Sequence, residues 1–388
     1  MKNKPVAIER LHKNDFNDVI DFMEFVFSKS SFPHDFPSIL PRLYREKEEL
    51  LNCIYAIKEN DQIKAAAGVY PLKQKIGDMT LNHMGIGGVS THPRSAKKGY
   101  MTAMMTKIVN DMRDNGVDHA ALGGYRDRYG HFGFERAGVT YSATLSKRNM
   151  RHYFPEHNSS ISFEKLTEET PEYIKSAKSL YERQICHTLR GEDFYLHTLS
   201  WKQNGYVALE NDEVIGYFTS NNELSNFTEF YAEEGKYFDI VKAAAAGSDC
   251  DSLTINVPEW LMLSSAKEIF KYAENVGING NCMWNILNFE RVVKAFFSLK
   301  ASYTELLDGE LVVEILNEEK INIEACNNEI SVERTNKSAD IVLDHNSAIR
   351  LLFGILPRID LPKLSREKEL LALSYLPLPL YVLPPDQV

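Results

Sequence analysis

Two short stretches of this chain carry residue types at a spacing that could do chemistry. The first reads Val89-Ser-Thr-His-Pro-Arg-Ser-Ala-Lys-Lys-Gly-Tyr-Met101. Strand-forming residues give way to Pro93, then to Lys97, Lys98 and Gly99, and then to a helical pattern. Such a turn aims backbone N–H groups and the positive end of a helix dipole at one small volume, which suits a phosphate. The second stretch, Tyr129-Gly-His-Phe-Gly-Phe134, follows another strand and supplies a phenol. With an ordinary pKa of about 10, a phenol still holds its proton at neutral pH and can hand it to a leaving group.

Other polar residues have plainer readings. Gly124 and Tyr125 end the strand before the phenol and are expected to flank the reactive end of whatever the phosphate cradle holds. Arg126 and Arg128 suit phosphate contact or simple exposure equally. His34 and Asp35 sit between prolines, where such a pair is more often a turn device than a base. His83 and His92 flank the strand that leads to the cradle, and structural roles fit them best. A chain of water could also take the proton.

These residues need a scaffold, and periodicity outlines one. A short strand is expected at 6–11 and a helix from about residue 15, with Val19, Ile20, Met23 and Val26 on one face. The segment 30–37 breaks it. Strands follow at 53–58, 64–70 and 79–90, with Glu59-Asn-Asp-Gln62 as a hairpin turn. A helix spans 99–115, where Met101, Met104, Met105, Ile108, Val109 and Met112 form a core stripe and Gly116 closes it. Further strands are expected at 117–122 and 139–145. Part of this pattern recurs over 163–285, with a helix at 173–184 and strands at 206–209, 213–220, 227–232 and 253–257, but without a basic glycine loop. Beyond residue 311 the strands at 311–315, 320–326 and 329–334 alternate like an antiparallel meander with Asn327-Asn328 at a turn. A strand at 340–343 and a helix at 347–353 follow. The proline-rich Leu376-Pro-Leu-Pro-Leu-Tyr-Val-Leu-Pro-Pro385 should lie extended against another surface.

Bulk properties agree with a globular protein of several domains. The chain has 388 residues, 44% apolar and 25% charged, too long for one core. Nothing resembles a membrane span or a signal peptide, so cytoplasm is the expected location. The five cysteines have no metal-ligand or redox spacing and read as buried reduced thiols, and no metal site is expected. A net charge of −10 argues against nucleic acid as a partner. Nine carboxylates and one lysine between Glu305 and Glu333 read as a solvated sheet surface.

On these motifs the chain resembles the GNAT superfamily of N-acetyltransferases. That family's signature is Gln/Arg-x-x-Gly-x-Gly/Ala opening a helix after a strand and a proline. Gly99 matches the central glycine, while Ala96 stands where Gln or Arg is usual and Met101 where Gly or Ala is usual. Lys97 and Lys98 supply positive charge nearby. The second motif resembles the family's Tyr-x-x-hydrophobic-Gly-aromatic segment. The resemblance implies that the main chain of Val89, Ser90 and Thr91 pairs with pantetheine. It implies that Lys97, Lys98, Gly99, Tyr100, Met101 and Thr102 hold the pyrophosphate of acetyl-CoA, and that Tyr129 is the general acid.

The whole layout is similar to the Eis-like branch. The implied fold is α/β (α+β): two GNAT-type mixed sheets with flanking helices, followed by a sterol-carrier-like domain. The implied domains are 1–150, catalytic; 151–288, degenerate; and 289–388, sterol-carrier-like. In that branch a C-terminal carboxylate acts as base, usually from an aromatic residue; here the terminal residue is Val388. The implied activity is transfer of an acetyl group from acetyl-CoA to a primary amine, small or peptidic, within a ternary complex and a symmetric homo-oligomer. Rival readings are a non-catalytic acetyl-CoA-binding regulator, a lipid- or ligand-binding module centred on the C-terminal domain, and a tandem aminoacyl transferase, which the acidic balance disfavours.

Overall fold

The computed structural model describes residues 7–29, 33–154, 160–247, 250–327 and 329–388. Val6 of the expected first strand, residues 30–32 of the expected break and Asn328 of the expected turn lie outside them. In chain order the first unit holds β1 (Glu9–Arg10), α1 (Phe16–Phe27), the short helices α2 (Phe36–Ile39) and α3 (Glu48–Leu51), β2 (Ile54–Glu59), β3 (Gln62–Ile76) and β4 (Met79–Thr91). It continues with α4 (Tyr100–Asp114), β5 (His119–Leu122), α5 (Arg126–Tyr129), β6 (Glu135–Ala137) and β7 (Thr140–Ser146). Asn60 and Asp61 turn β2 into β3 with φ of 50° and 61°, a conformation these side chains tolerate.

Both faces of this sheet are covered, which explains why its strands are apolar at successive positions. Tyr55, Ile57, Ala65, Ala67 and Val69 pack under α4, whose Met104, Met105, Ile108, Val109 and Met112 complete the cluster. Ile54, Ala56, Ala66 and Tyr70 point the other way, onto Val19, Ile20 and Met23 of α1 and Phe36 of α2. The methionine stripe is therefore core, and Gly116 turns the chain after α4 at φ 65°.

The second unit comprises α6 (Lys147–Tyr153), β8 (Ile161–Lys165), α7 (Pro171–Glu182), β9 (Cys186–Thr188), α8 (Phe194–Thr198), β10 (Asn204–Glu210), β11 (Glu213–Ser220) and β12 (Asn226–Phe227). It ends with β13 (Glu229–Ala232), α9 (Tyr237–Gly247), β14 (Ser252–Val257), α10 (Glu259–Leu263), α11 (Lys267–Tyr272), β15 (Asn275–Asn279) and β16 (Cys282–Ile286). The single strand expected at 227–232 is two. Phe227 of β12 pairs parallel with Ile255 of β14, whereas β13 pairs antiparallel with β11 in a different sheet.

The two units exchange strands across residue 150. The first sheet runs β1-β2-β3-β4-β5-β16-β6, with β9 alongside β3, so β16 of the second unit separates β5 from β6. In return β7 lies between β14 and β15. The remaining sheet of the second unit runs β13-β11-β10-β8.

The C-terminal unit contains α12 (Phe289–Ala301), β17 (Gly309–Ile315), β18 (Glu319–Cys326), β19 (Glu329–Arg334), β20 (Ile341–Leu343), α13 (His345–Phe353) and α14 (Arg366–Tyr375). The meander β17-β18-β19 is as expected, with β20 added parallel to β17. The acidic stretch is not wholly solvated: Glu319 accepts the amides of Phe289 and Glu290 at 2.8 and 3.2 Å, capping α12. Only Cys186 and Cys282 of the cysteines are buried; Cys326 is exposed and Cys53 and Cys250 are half-buried. The proline-rich tail is extended and its Leu378, Leu380, Tyr381 and Val382 are buried. It is stitched to α13 and to the first unit by Leu378 N–H to Leu352 O at 2.7 Å and Val139 N–H to Leu380 O at 3.1 Å. Among the described residues no helix is long and apolar enough to cross a membrane.

Candidate active site

Two parallel strands that part create the site. β4 and β5 are in register from His83 opposite His119 to Ile86 opposite Leu122. There β5 ends, turned aside by Gly123 and Gly124, while β4 runs on to Thr91. Against β3 the register shifts between Ala66 opposite Ser90 and Gly68 opposite Gly87, a bulge that contains Gly88 at φ 61°. A Cβ at Gly88 would stand 2.2 Å from Cε of Met23, so both conformation and space require glycine there. The pairing of β4 with β5 stops at Ile86, which leaves the polar main chain beyond it, including Val89, Ser90 and Thr91, facing the gap. An extended amide-bearing ligand can add to such an edge as a strand would.

After Thr91 a single 3-10 turn at Pro93–Ser95 leads to Lys97 at φ 67° and Gly99 at φ 79°, and α4 begins. Among the described residues, the amides of Gly99, Tyr100, Met101 and Thr102 have no protein acceptor, as the first turn of a helix requires when no side chain caps it. Gly99 is the N-cap and has no side chain to offer. These donors and the helix dipole make an anion cradle. Lys98 is held by Glu59 at 2.9 and 3.0 Å, and the Tyr100 hydroxyl donates to the same carboxylate. Lys97 is exposed, as is Arg94 earlier in the loop.

Tyr129 and Val388 occupy opposite faces of the sheet at this gap. The Tyr129 ring lies over Gly124, where a Cβ would meet its Cε2 at 2.4 Å. It packs with Tyr100, Met104 and Phe134 on the α4 side. Burial raises its phenol above the ordinary value, against a smaller opposing pull from Arg128. Val388 packs with the cluster on the α1 side. It rests on Gly85 and Gly87, whose absent side chains make its seat.

A cavity of about 140 Å³ lies beside Val388, bounded by His83 and Gly85 of β4, Ala121 to Gly123, Trp201, Cys282 and the tail from Asp386. His83 shares the face of Gly85 and Gly87 because alternate strand residues point the same way. Its Nδ1 is 3.0 Å from Nδ1 of His119, and both rings lie against Trp284. Burial brings His83 down to about 4, so it is neutral at pH 7.

The remaining sequence candidates sit elsewhere or are already engaged. Arg126 donates to Glu135 at 2.7 Å, and Arg350 holds the other oxygen of that carboxylate, so Arg126 serves an ion pair. Arg128 lies over the ring of the exposed Tyr125. Asp35 caps α2, accepting from the Ser38 amide and hydroxyl at 3.1 and 2.7 Å. His34 stacks on Phe36 and meets the edge of Trp201. His92 accepts the Arg94 amide and stacks on Phe25. Trp201, His119 and the buried ions around Asp386 carry no motif, because they come together only through contacts between units.

Comparison with known proteins agrees with this geometry. Residues 7–137 match the model of the acetyltransferase (GNAT) domain family. No curated protein matches the chain by sequence. Among solved structures, a GCN5-related N-acetyltransferase from Kribbella flavida is similar at 13% identity and a TM-score of 0.64, over 95% of each chain. A probable N-acyltransferase from Enterococcus faecalis aligns at 14% identity and 0.66, over 96% of this chain and 98% of that one. Eis1 from Mycobacterium abscessus aligns at 14% identity and 0.66, over 95% and 96%. Residues 7–137 thus match the GNAT acetyltransferase domain family, in a chain whose fold is similar to that of an Eis protein over 95% of its length.

Proposed function

We propose that the protein transfers an acetyl group from acetyl-CoA to a primary amine by direct attack within a ternary complex. The observation that carries this reading is the gap between β4 and β5, with a phenol on one face and a terminal carboxylate on the other. The residues present fit an acyl-CoA: an open strand edge at Val89–Thr91 for the pantetheine amides, and unpaired amides from Gly99 to Thr102 for the pyrophosphate. Lys97 adds charge at the rim, and Gly124 and Tyr125 border the reactive end. Acetyl-CoA supplies an activated thioester.

The chain's own residues would do the rest. The α-carboxylate of Val388 takes a proton from the acceptor ammonium on the α1 side, leaving a lone pair to form the N–C bond. Tyr129 gives its proton to the departing sulfur on the α4 side as the C–S bond breaks, and its phenolate takes back the second proton that the nitrogen sheds on becoming an amide. The raised phenol pKa keeps that proton available across neutral pH. His83, neutral in the cavity floor, keeps the acceptor side free of a competing positive charge.

In the same reading residues 151–288 are a degenerate GNAT-like domain and residues 289–388 a sterol-carrier-like one. The test is thiol release from acetyl-CoA over polyamines, aminoglycosides, lysine peptides and arylamines. Turnover with at least one amine is expected; acetyl-CoA binding by calorimetry with no thiol release from any of them overturns the proposal.

A further inference from the structure

Val388 reaches the gap at the end of a tail, and a buried ion cluster decides where that tail ends. Asp386 is fully buried. Its carboxylate accepts from Arg190 Nε and Nη2 at 2.9 and 3.1 Å and from His197 Nδ1 at 2.7 Å. Because an ionised carboxylate only accepts, His197 Nδ1 carries the proton. The other edge of the Arg190 guanidinium is bidentate to Glu229, Nη1 at 2.9 Å and Nη2 at 2.5 Å. Arg42 of the first unit donates through Nη2 to the carbonyls of Asp386 and Gln387 at 2.8 and 3.3 Å. Arg190, His197 and Glu229 all belong to the second unit, between β9 and the start of β13.

Such a cluster is an expensive way to hold a tail. Buried ion pairs gain little over apolar packing of the same shape, and the tail before them is already fixed by Leu378, Leu380 and Val382. A planar guanidinium adds direction, since a bidentate carboxylate is fixed in position and in plane. Arg190 pairs with both carboxylates, while Arg42 holds the tail by its main-chain carbonyls. Val388 is two residues beyond Asp386, a reach of at most about 7 Å, so fixing Asp386 fixes Val388.

We infer that Arg190 is a positioning residue for Val388: through Asp386 it sets the tail's register so that the terminal carboxylate falls at the gap between β4 and β5. The second unit, which has no basic glycine loop, thereby serves the first as a receptor for the tail. The inference rests on the reading of Val388 as the base.

Two measurements separate the inference from that reading. Asp386→Asn keeps the shape and leaves the Arg190–Glu229 pair intact; Arg190→Met removes the fork. Each variant is treated with carboxypeptidase well below its melting temperature and followed by intact mass, and kcat and the acetyl-CoA KM are measured beside it. The native chain is expected to keep Val388, whereas Asp386→Asn loses it readily and drops kcat about 100-fold with KM unchanged. Val388 protected in both variants overturns the inference, whatever the rate does. A freed tail with an undiminished rate supports the positioning and overturns Val388 as base. If Arg190→Met does not fold, Asp386→Asn alone decides.

Discussion

The carboxyl carbon of Val388 lies 3.0 Å from where a Cβ on Gly87 would stand. The last residue of the chain and a glycine in the middle of the first sheet are therefore a fitted pair. Gly85 repeats the relationship, with its absent Cβ 3.0 Å from Val388 Cγ2. Gly87→Ala is expected to fold normally, because its φ is not in the left-handed region, and to push the carboxylate away by a few tenths of an ångström. We expect kcat to fall about tenfold with the melting temperature nearly unchanged, read by steady-state kinetics and circular dichroism. An unchanged kcat counts against the seat.

Tyr129→Phe removes the phenol and keeps the ring over Gly124. Loss of a general acid costs about 100-fold to 10,000-fold in kcat, and the acetyl-CoA KM should hold. Because burial raises the phenol, the native alkaline limb should lie above the ordinary value of about 10 and vanish in the variant. A variant with the native pH profile would falsify the assignment.

Gly99→Ala addresses the cradle. A Cβ there meets nothing within 4 Å, so the penalty comes from φ 79° alone, about 1 kcal/mol. Partial rearrangement of the loop should weaken acetyl-CoA binding several-fold in calorimetry and leave kcat at saturation close to native. A large fall in kcat at saturating acetyl-CoA would show that the loop does more than bind.

Acid should destabilise the fold through its buried imidazoles. His83 and His197 are pushed by burial from 6.5 to about 4. Between those values the unfolded chain binds protons that the folded chain refuses, so stability falls as pH drops from 6.5 toward 4. Each histidine accounts for about 3 kcal/mol at most. Asp386 acts lower: burial alone would raise it, but Arg190 and His197 outweigh that and hold it well below the usual range. Its contribution is complete above its unfolded value of about 3.9 and fades only in stronger acid. Melting temperatures from pH 7 to 4 should fall steadily, and less steeply in His83→Gln.

Strand exchange predicts that the first unit does not stand alone. A chain ended after residue 150 loses β16 and with it the pairing of Met283 with Leu122 and of Trp284 with Glu135. It would also carry β7 with no partner, since β14 and β15 are gone. Such a fragment should be poorly folded by hydrogen exchange; native-like protection of 119–122 would contradict the exchange.

Much of the scaffold was legible because it is local. The short apolar runs of β2 to β4, the methionine stripe of α4, Asn60 and Asp61 in the hairpin and Gly116 after α4 are each read from neighbours along the chain. Legibility failed where partners are distant. β16 has too few residues for a pattern, and only the gap between β5 and β6 defines its place. Phe227 and Glu229 look like one strand yet join different sheets, because the choice depends on β14 and β11. Helix α12 is absent from the expected elements although its pattern is local: Glu290, Arg291, Lys294 and Ser298 line one face, opposite the buried Val292, Val293, Phe296 and Phe297.

The sequence by itself determined the chemistry on offer: a left-handed glycine before a helix, a phenol after a strand, and the types of elements that carry them. Those are properties of short segments, decided by φ preference and by which faces are apolar. Only the tertiary structure decided that the phenol and the terminal carboxylate meet at opposite faces of one gap. Residues 129 and 388 share no local interaction; burial of the tail and the ion pairs of Asp386 bring them together, and such energies exist only once all the units have packed.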